Sequence, residues 1–160
     1  FRSRFVSSPA VADGVIVVPT AKAGPTVAIN VNDTLRGRVT GKSDATRWFI
    51  AQTPDVSIPL IHDGLVYLLH KDGKLQCLDL ETGNEIYFER THSVQHRVSP
   101  LYADGHIYFC AKDGICSVVK AGSKFELVAS NDLGEPITAS PIVANGTLYI
   151  RTYNAVYAIR

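Results

Sequence analysis

The stretch Ser99-Pro100-Leu101-Tyr102-Ala103-Asp104-Gly105-His106 brings a serine, an aspartate and a histidine close together. Those residue types are the parts of nucleophilic catalysis: a hydroxyl to attack, an imidazole to take its proton, a carboxylate to orient the ring. A second cluster, His92-Ser93-Val94-Gln95-His96-Arg97, spaces two histidines four apart, and on a helix such a pair shares a face and could hold a metal. Whether either group does chemistry depends on the elements that carry it.

The first cluster dissolves when the rest of the chain is compared with it. The segment recurs from Ser8-Pro9, Ile58-Pro59 and Ser140-Pro141, and in every copy a glycine follows the proline by five positions. Across the copies Ser99 becomes Ile58, Asp104 becomes Asn145, and His106 becomes Val15, Leu65 or Thr147. Only proline, glycine and the apolar residues around them persist. The prolines are 50, 41 and 41 positions apart, and a period of this size marks a repeat architecture.

Each unit reads as short strands separated by turns. Asp13-Gly14, Asp63-Gly64, Asp104-Gly105 and Asn145-Gly146 join apolar runs and are hairpin signals. The second unit continues through Lys71-Asp72-Gly73-Lys74, a strand at Leu75–Asp79, the turn Glu81-Thr82-Gly83-Asn84, and a fourth strand at Glu85–Glu89. In the first unit a turn at Lys22–Pro25 and a polar insertion, Val31 to Ala45, precede the strand Arg47-Trp48-Phe49-Ile50. The third unit ends on a strand at Phe125–Ala129; the fourth stops after Ala155–Ile159 and lacks a fourth strand. No stretch has useful helical periodicity. The expected fold is all-β, a β-propeller of four-stranded antiparallel blades over residues 8–52, 58–90, 99–130 and 140–160.

The repeat also assigns most polar and sulfur-bearing residues. Proline, with no N–H, suits a strand start, and the serine before it can bond nearby backbone. Ala28, Cys77, Val118 and Ala158 align in one small-residue column, and Ile29, Leu78, Val119 and Ile159 in the next, so Cys77 is a packing residue. Cys110 and Cys116 align with Leu69 and Leu75, and a diagonal register across their turn argues against a disulfide. His62, His70 and His106 read as exposed strand-end residues. The six-residue His92–Arg97 cluster falls on a connection between blades and reads as a solvated loop. There is no G-x-S-x-G elbow, phosphate-binding glycine loop or Cys-x-x-Cys pair.

A net charge of +1 gives no electrostatic case for nucleic acid, and no apolar run is long enough to span a bilayer. The chain begins at Phe1 and has no methionine, which suits an internal or processed piece.

These patterns resemble the PQQ-like (quinoprotein-type) β-propeller repeat, also found in BamB-like proteins of outer-membrane assembly. That repeat reads S-P-x-V-x-D-G-x-V-Y, then D-G-x-L-x-A-L-D-x-x-T-G-x-x-x-W, and Leu75-Gln76-Cys77-Leu78-Asp79-Leu80-Glu81-Thr82-Gly83 follows its second half. Tyr87 stands at the blade-docking tryptophan, Trp48 takes that role in the first unit and Phe125 in the third. The resemblance implies a segment of a seven- or eight-bladed propeller, with closure by Phe1–Val6 against strand 155–159 only if four blades made a ring. It also implies an extracytoplasmic location and a face, built by the second-to-third-strand turns and interblade connections, where ligands sit. Lys71, Arg90, His92, His96, Arg97 and Lys112 fall there, with Gln52, Asp55, Asp132, Glu135 and Arg151 beside them. The expected function is a non-catalytic scaffold for protein partners, with no cofactor and with self-association or upstream blades covering the open end. The alternative is part of a PQQ- and calcium-dependent dehydrogenase whose cofactor site is completed by missing blades; its alcohol-oxidising branch carries adjacent cysteines that this chain lacks.

Overall fold

The architecture comes from a computed structural model that describes residues 6–20, 24–32, 35–38, 43–51 and 53–160. Residues 1–5 of the Phe1–Val6 segment that would close a four-blade ring, Gln52, and parts of the Lys22–Pro25 turn and of the 31–45 insertion lie outside the described residues. The first sheet holds β1 (Ala10–Ala12), β2 (Val15–Pro19), β3 (Thr26–Asn30) and β4 (Thr46–Ile50). The second holds β5 (Leu60–His62), β6 (Leu65–Leu69), β7 (Lys74–Asp79) and β8 (Glu85–Arg90). The third holds β9 (Leu101–Ala103), β10 (His106–Cys110), β11 (Ile115–Lys120) and β12 (Leu127–Asp132). The last has β13 (Ile142–Ala144), β14 (Thr147–Arg151) and β15 (Val156–Ile159). Each sheet is an antiparallel meander in chain order, and among the described residues nothing pairs with the outer side of β15.

Turn chemistry sets each meander's first bend. Asp13, Asp63, Asp104 and Asn145 all take φ of 46–51°, with a positive-φ glycine next, the backbone of a two-residue hairpin turn. The four prolines each stand one residue before the inner strand, where no ladder donor is needed. Both expected columns hold: Ala28, Cys77, Val118 and Ala158 lie opposite Val17, Tyr67, Tyr108 and Tyr149.

Alternation along the strands gives every blade two apolar faces. Val15, Val17, Ala28 and Trp48 of the first sheet pack on Val66, Leu68, Leu78 and Leu80 of the second. Tyr67, Leu69, Leu75, Cys77 and Tyr87 of the second pack on Ile107, Phe109 and Val119 of the third. Cys77 is a free buried thiol, and burial pushes its pKa up to about 12, as suits a packing residue.

The motif serine reaches farther than its immediate backbone. Ile58 N–H donates to Ser99 Oγ (2.9 Å), and Ser99 N–H donates to Ser140 Oγ (2.8 Å). Each serine thus ties its own blade to the preceding one, a ladder that its spacing of one repeat makes possible.

Two expectations are corrected. Cys110 and Cys116 are directly opposite rather than diagonal and form a disulfide, with Cα atoms 4.0 Å apart. The turn between them is closed by Ala111 N–H donating to the Ile115 carbonyl (2.7 Å), which fixes this register, and Leu69 and Leu75 make the same pair one blade earlier. The other correction concerns Phe125. Trp48 and Tyr87 stand opposite Ala28 and Cys77, but Ala129 occupies that position opposite Val118. Phe125 instead packs edge-on against Tyr87, ring centroids 5.5 Å apart, from the turn before β12.

Replacing both Cys110 and Cys116 with serine is expected to cost about 2 kcal/mol, the scale for closing a short loop. Urea unfolding with and without a reductant checks this: reductant should lower the wild-type midpoint and leave the double variant unmoved.

Candidate functional site

The face predicted to carry the site is built by one backbone device used repeatedly. Thr91 N–H donates to the Gly73 carbonyl (3.0 Å), and Leu133 N–H to the Gly114 carbonyl (3.2 Å). His96 N–H donates to the Lys71 carbonyl (2.9 Å), as Ile137 N–H does to that of Lys112 (3.2 Å). Lys112 N–H donates to the Gln95 carbonyl (2.8 Å), as Tyr153 N–H does to that of Pro136 (3.2 Å). The connections after the second and third blades therefore each lie clamped between the second-to-third-strand turns of two adjacent blades. The clamps recur one repeat apart, so the face is rigid where a loop was expected.

On this frame the charged residues fall into two groups. Asp72 bridges Arg90 (3.3 Å) and Lys74 (3.6 Å). Partial burial opposes its ionisation, but the two cations outweigh this and hold its carboxyl below the usual range. Lys71 faces Asp55 at 3.9 Å, and His92 Nε2 meets Asp113 Oδ2 at 2.7 Å. Asp113 is held low as well, the bond to His92 prevailing over burial. Glu135 accepts from the Thr152 hydroxyl (2.7 Å) and Asn154 N–H (3.2 Å), and Asp132 from Gly134 N–H (2.7 Å). Arg97, Lys112 and Arg151 are exposed and have no ion pair among the described residues.

His96 departs most from expectation. It is 1 % exposed and bridges to Ala111, so it belongs to the joint between the second and third blades, not to a solvated loop. Ile137, one repeat later, is fully buried in the equivalent clamp. Burial lowers the His96 pKa. The other histidines are half-buried rather than exposed. His62 stacks on Tyr102 with centroids 3.6 Å apart, His70 bonds Gln76 at 3.0 Å, and His106 Nδ1 lies 2.7 Å from the Asp104 carbonyl.

The structure brings together Lys71, His92, His96, Arg97 and Lys112 around one connection, with Arg90 at its start. Sequence reasoning missed Asp72 and Asp113 as partners, because both precede glycine and read as turn formers only. Their pairing with Arg90 and His92 follows from the clamp, which a single repeat does not reveal. Among the described residues no three His, Cys, Asp or Glu side chains converge as a metal site.

No curated protein matches the chain. Among solved structures, BamB from Moraxella catarrhalis superposes with a TM-score of 0.75 and 19% identity, covering 96% of this chain and 46% of that one. The computationally designed Ika4 protein gives 0.74 and 16% identity, covering 100% of this chain and 94% of that one. A europium-containing methanol dehydrogenase gives 0.60 and 14% identity over 76% of this chain and 23% of its own. The chain thus spans under half the length of the BamB structure it matches, and likenesses at these identities establish the β-propeller fold. The family described as outer membrane protein assembly factor BamB matches residues 1–160 throughout, and the chain belongs to that family.

Proposed function

We propose that this chain is a non-catalytic propeller scaffold that binds protein partners through the clamped face, outside the cytoplasm. The carrying observation is that the connections' backbone is consumed by the turns, while Arg97 and Lys112 stand exposed and without ion pairs among the described residues. A rigid backbone presenting unneutralised cations suits an acidic segment of a partner protein, because little ordering entropy remains to be lost on binding. The Cys110–Cys116 disulfide supports an oxidising compartment, as does the family's description.

The quinone alternative fits these residues poorly. Calcium needs several converging oxygen ligands, and on this face Asp55 is taken by Lys71, Asp72 by Arg90 and Lys74, and Asp113 by His92, while Asp132 accepts from Gly134 N–H. We therefore assign no cofactor to this segment.

The test is capture from envelope extracts by the wild-type chain and by Arg97→Glu/Lys112→Glu. Both side chains are exposed, so the melting temperature should stay within about 1 °C of wild type. The expected result is at least tenfold weaker capture of the partners the wild type retains. Identical capture by both chains, or none by either, overturns the reading. Saturable dye-linked oxidation on adding quinone and calcium would put the dehydrogenase reading in its place.

A further inference from the structure

We propose that His96 makes the joint between the second and third blades acid-labile, so that protonation releases the connection 91–98 from its clamp. The argument begins with what the ring replaces. In the next blade the equivalent position is Ile137, which is apolar and fully buried. His96 is equally enclosed at 1 % exposure, its ring 5.7 Å from Phe109 and its Cε1 close over Gly73. Nδ1 lies 2.8 Å from the Val94 carbonyl, which fixes Nδ1 as the protonated nitrogen. Nε2 is buried with no hydrogen-bond partner among the described residues. A neutral ring tolerates this, because an unfilled lone pair costs little beside a buried charge. A protonated ring gains an N–H with no acceptor to receive it.

The charged groups around the ring do not rescue the cation. Asp113, on the turn 111–114, is engaged by His92, which stands on the connection itself with its ring 6.5 Å away. Asp72, on the turn 70–73, is engaged by Arg90 and Lys74, and Lys71 on that turn is directed to Asp55. Arg97 beside His96 in the chain and Lys112 on the turn 111–114 are cations and supply no acceptor for it. Burial is the dominant influence on His96, and it favours the neutral form. The folded pKa is lowered, so the unfolded chain binds the proton more readily. Stability at this joint is then complete above the unfolded value of about 6.5 and declines as pH falls below it. His70, half-buried and also lowered by burial, sits at the start of the turn 70–73 and must be separated from His96 by the test.

Hydrogen exchange of the wild-type chain and of His96→Ile, at pH 7.5 and 5.0 and corrected for intrinsic rates, reads the joint directly. In the wild type the amides of 91–98 should exchange at least tenfold faster at pH 5.0. In His96→Ile, which copies Ile137, the change should be under twofold. An equal rise in both chains assigns the effect to His70 or His92 and overturns the proposal, as does no rise in the wild type. If the variant does not fold, the His96 ring resonance in the wild type decides. Its titration must coincide with the exchange transition, and a ring that stays neutral through that transition overturns the proposal. None of these readouts involves a binding partner, so failure of the scaffold reading leaves the inference standing.

Discussion

Gly73→Ala is expected to destabilise the chain by more than about 3 kcal/mol, and Gly14→Ala by only about 1 kcal/mol. Both glycines have left-handed backbone, φ +82° and +72°, so both substitutions carry the same conformational cost. What separates them is space. A Cβ on Gly14 meets nothing within 4 Å, whereas one on Gly73 would stand 1.6 Å from the His92 carbonyl oxygen. That oxygen is main chain and cannot swing aside. Its connection is pinned by Thr91 N–H on the Gly73 carbonyl and His96 N–H on the Lys71 carbonyl, so relief requires breaking the clamp. Gly114 should fall between the two, since its Cβ would approach the Glu135 carbonyl oxygen to 2.6 Å. Urea midpoints of the three variants give the order, and a Gly73 variant no worse than Gly14 would show the connection to be free to move.

The repeat was legible because its signals are local. An Asp-Gly or Asn-Gly pair whose glycine stands five residues after a proline needs only neighbouring residues to define a hairpin, and four copies made the blade unmistakable. Interblade chemistry was less legible because it joins residues a repeat apart. Ser99 reads locally as a strand-start bond, yet it receives Ile58 N–H from the preceding blade. His96 reads locally as loop, yet it is a core residue because the turn 70–73 and Ala111 close over it. One comparison could have shown this beforehand: His96 aligns with Ile137 at the same 41-residue offset as the motif prolines, and Ile137 is apolar. The disulfide was missed by one step of register, since the length of a turn does not state which flanking residues face each other.

Trp48→Ala should cost about 3–5 kcal/mol, the range for truncating a large aromatic in a packed core, and the loss should be confined to one end of the molecule. Trp48 is 7 % exposed in the cluster joining the first and second sheets, and its indole donates from Nε1 to the Leu80 carbonyl (2.8 Å). The ring lies on Gly83, where a Cβ would come within 2.6 Å of Cγ, so the Thr82-Gly83 turn is a seat for the neighbouring blade's aromatic residue. Asp79 holds that seat by accepting from the N–H and hydroxyl of Thr82, both 2.7 Å. In this blade Asp79, Thr82 and Gly83 thus act together to shape a surface read by the blade before. Trp48→Phe keeps much of the packing but leaves the Leu80 carbonyl without its donor, for about 1–3 kcal/mol. The second and third sheets share a different cluster, centred on Tyr67, Tyr87 and Phe109, which does not include Trp48. Hydrogen exchange should therefore show protection lost over the strands β1–β4 in Trp48→Ala and retained over 101–120. Uniform loss across all four sheets would instead make the propeller one cooperative unit, with blade-to-blade docking too strong for any single joint to open alone.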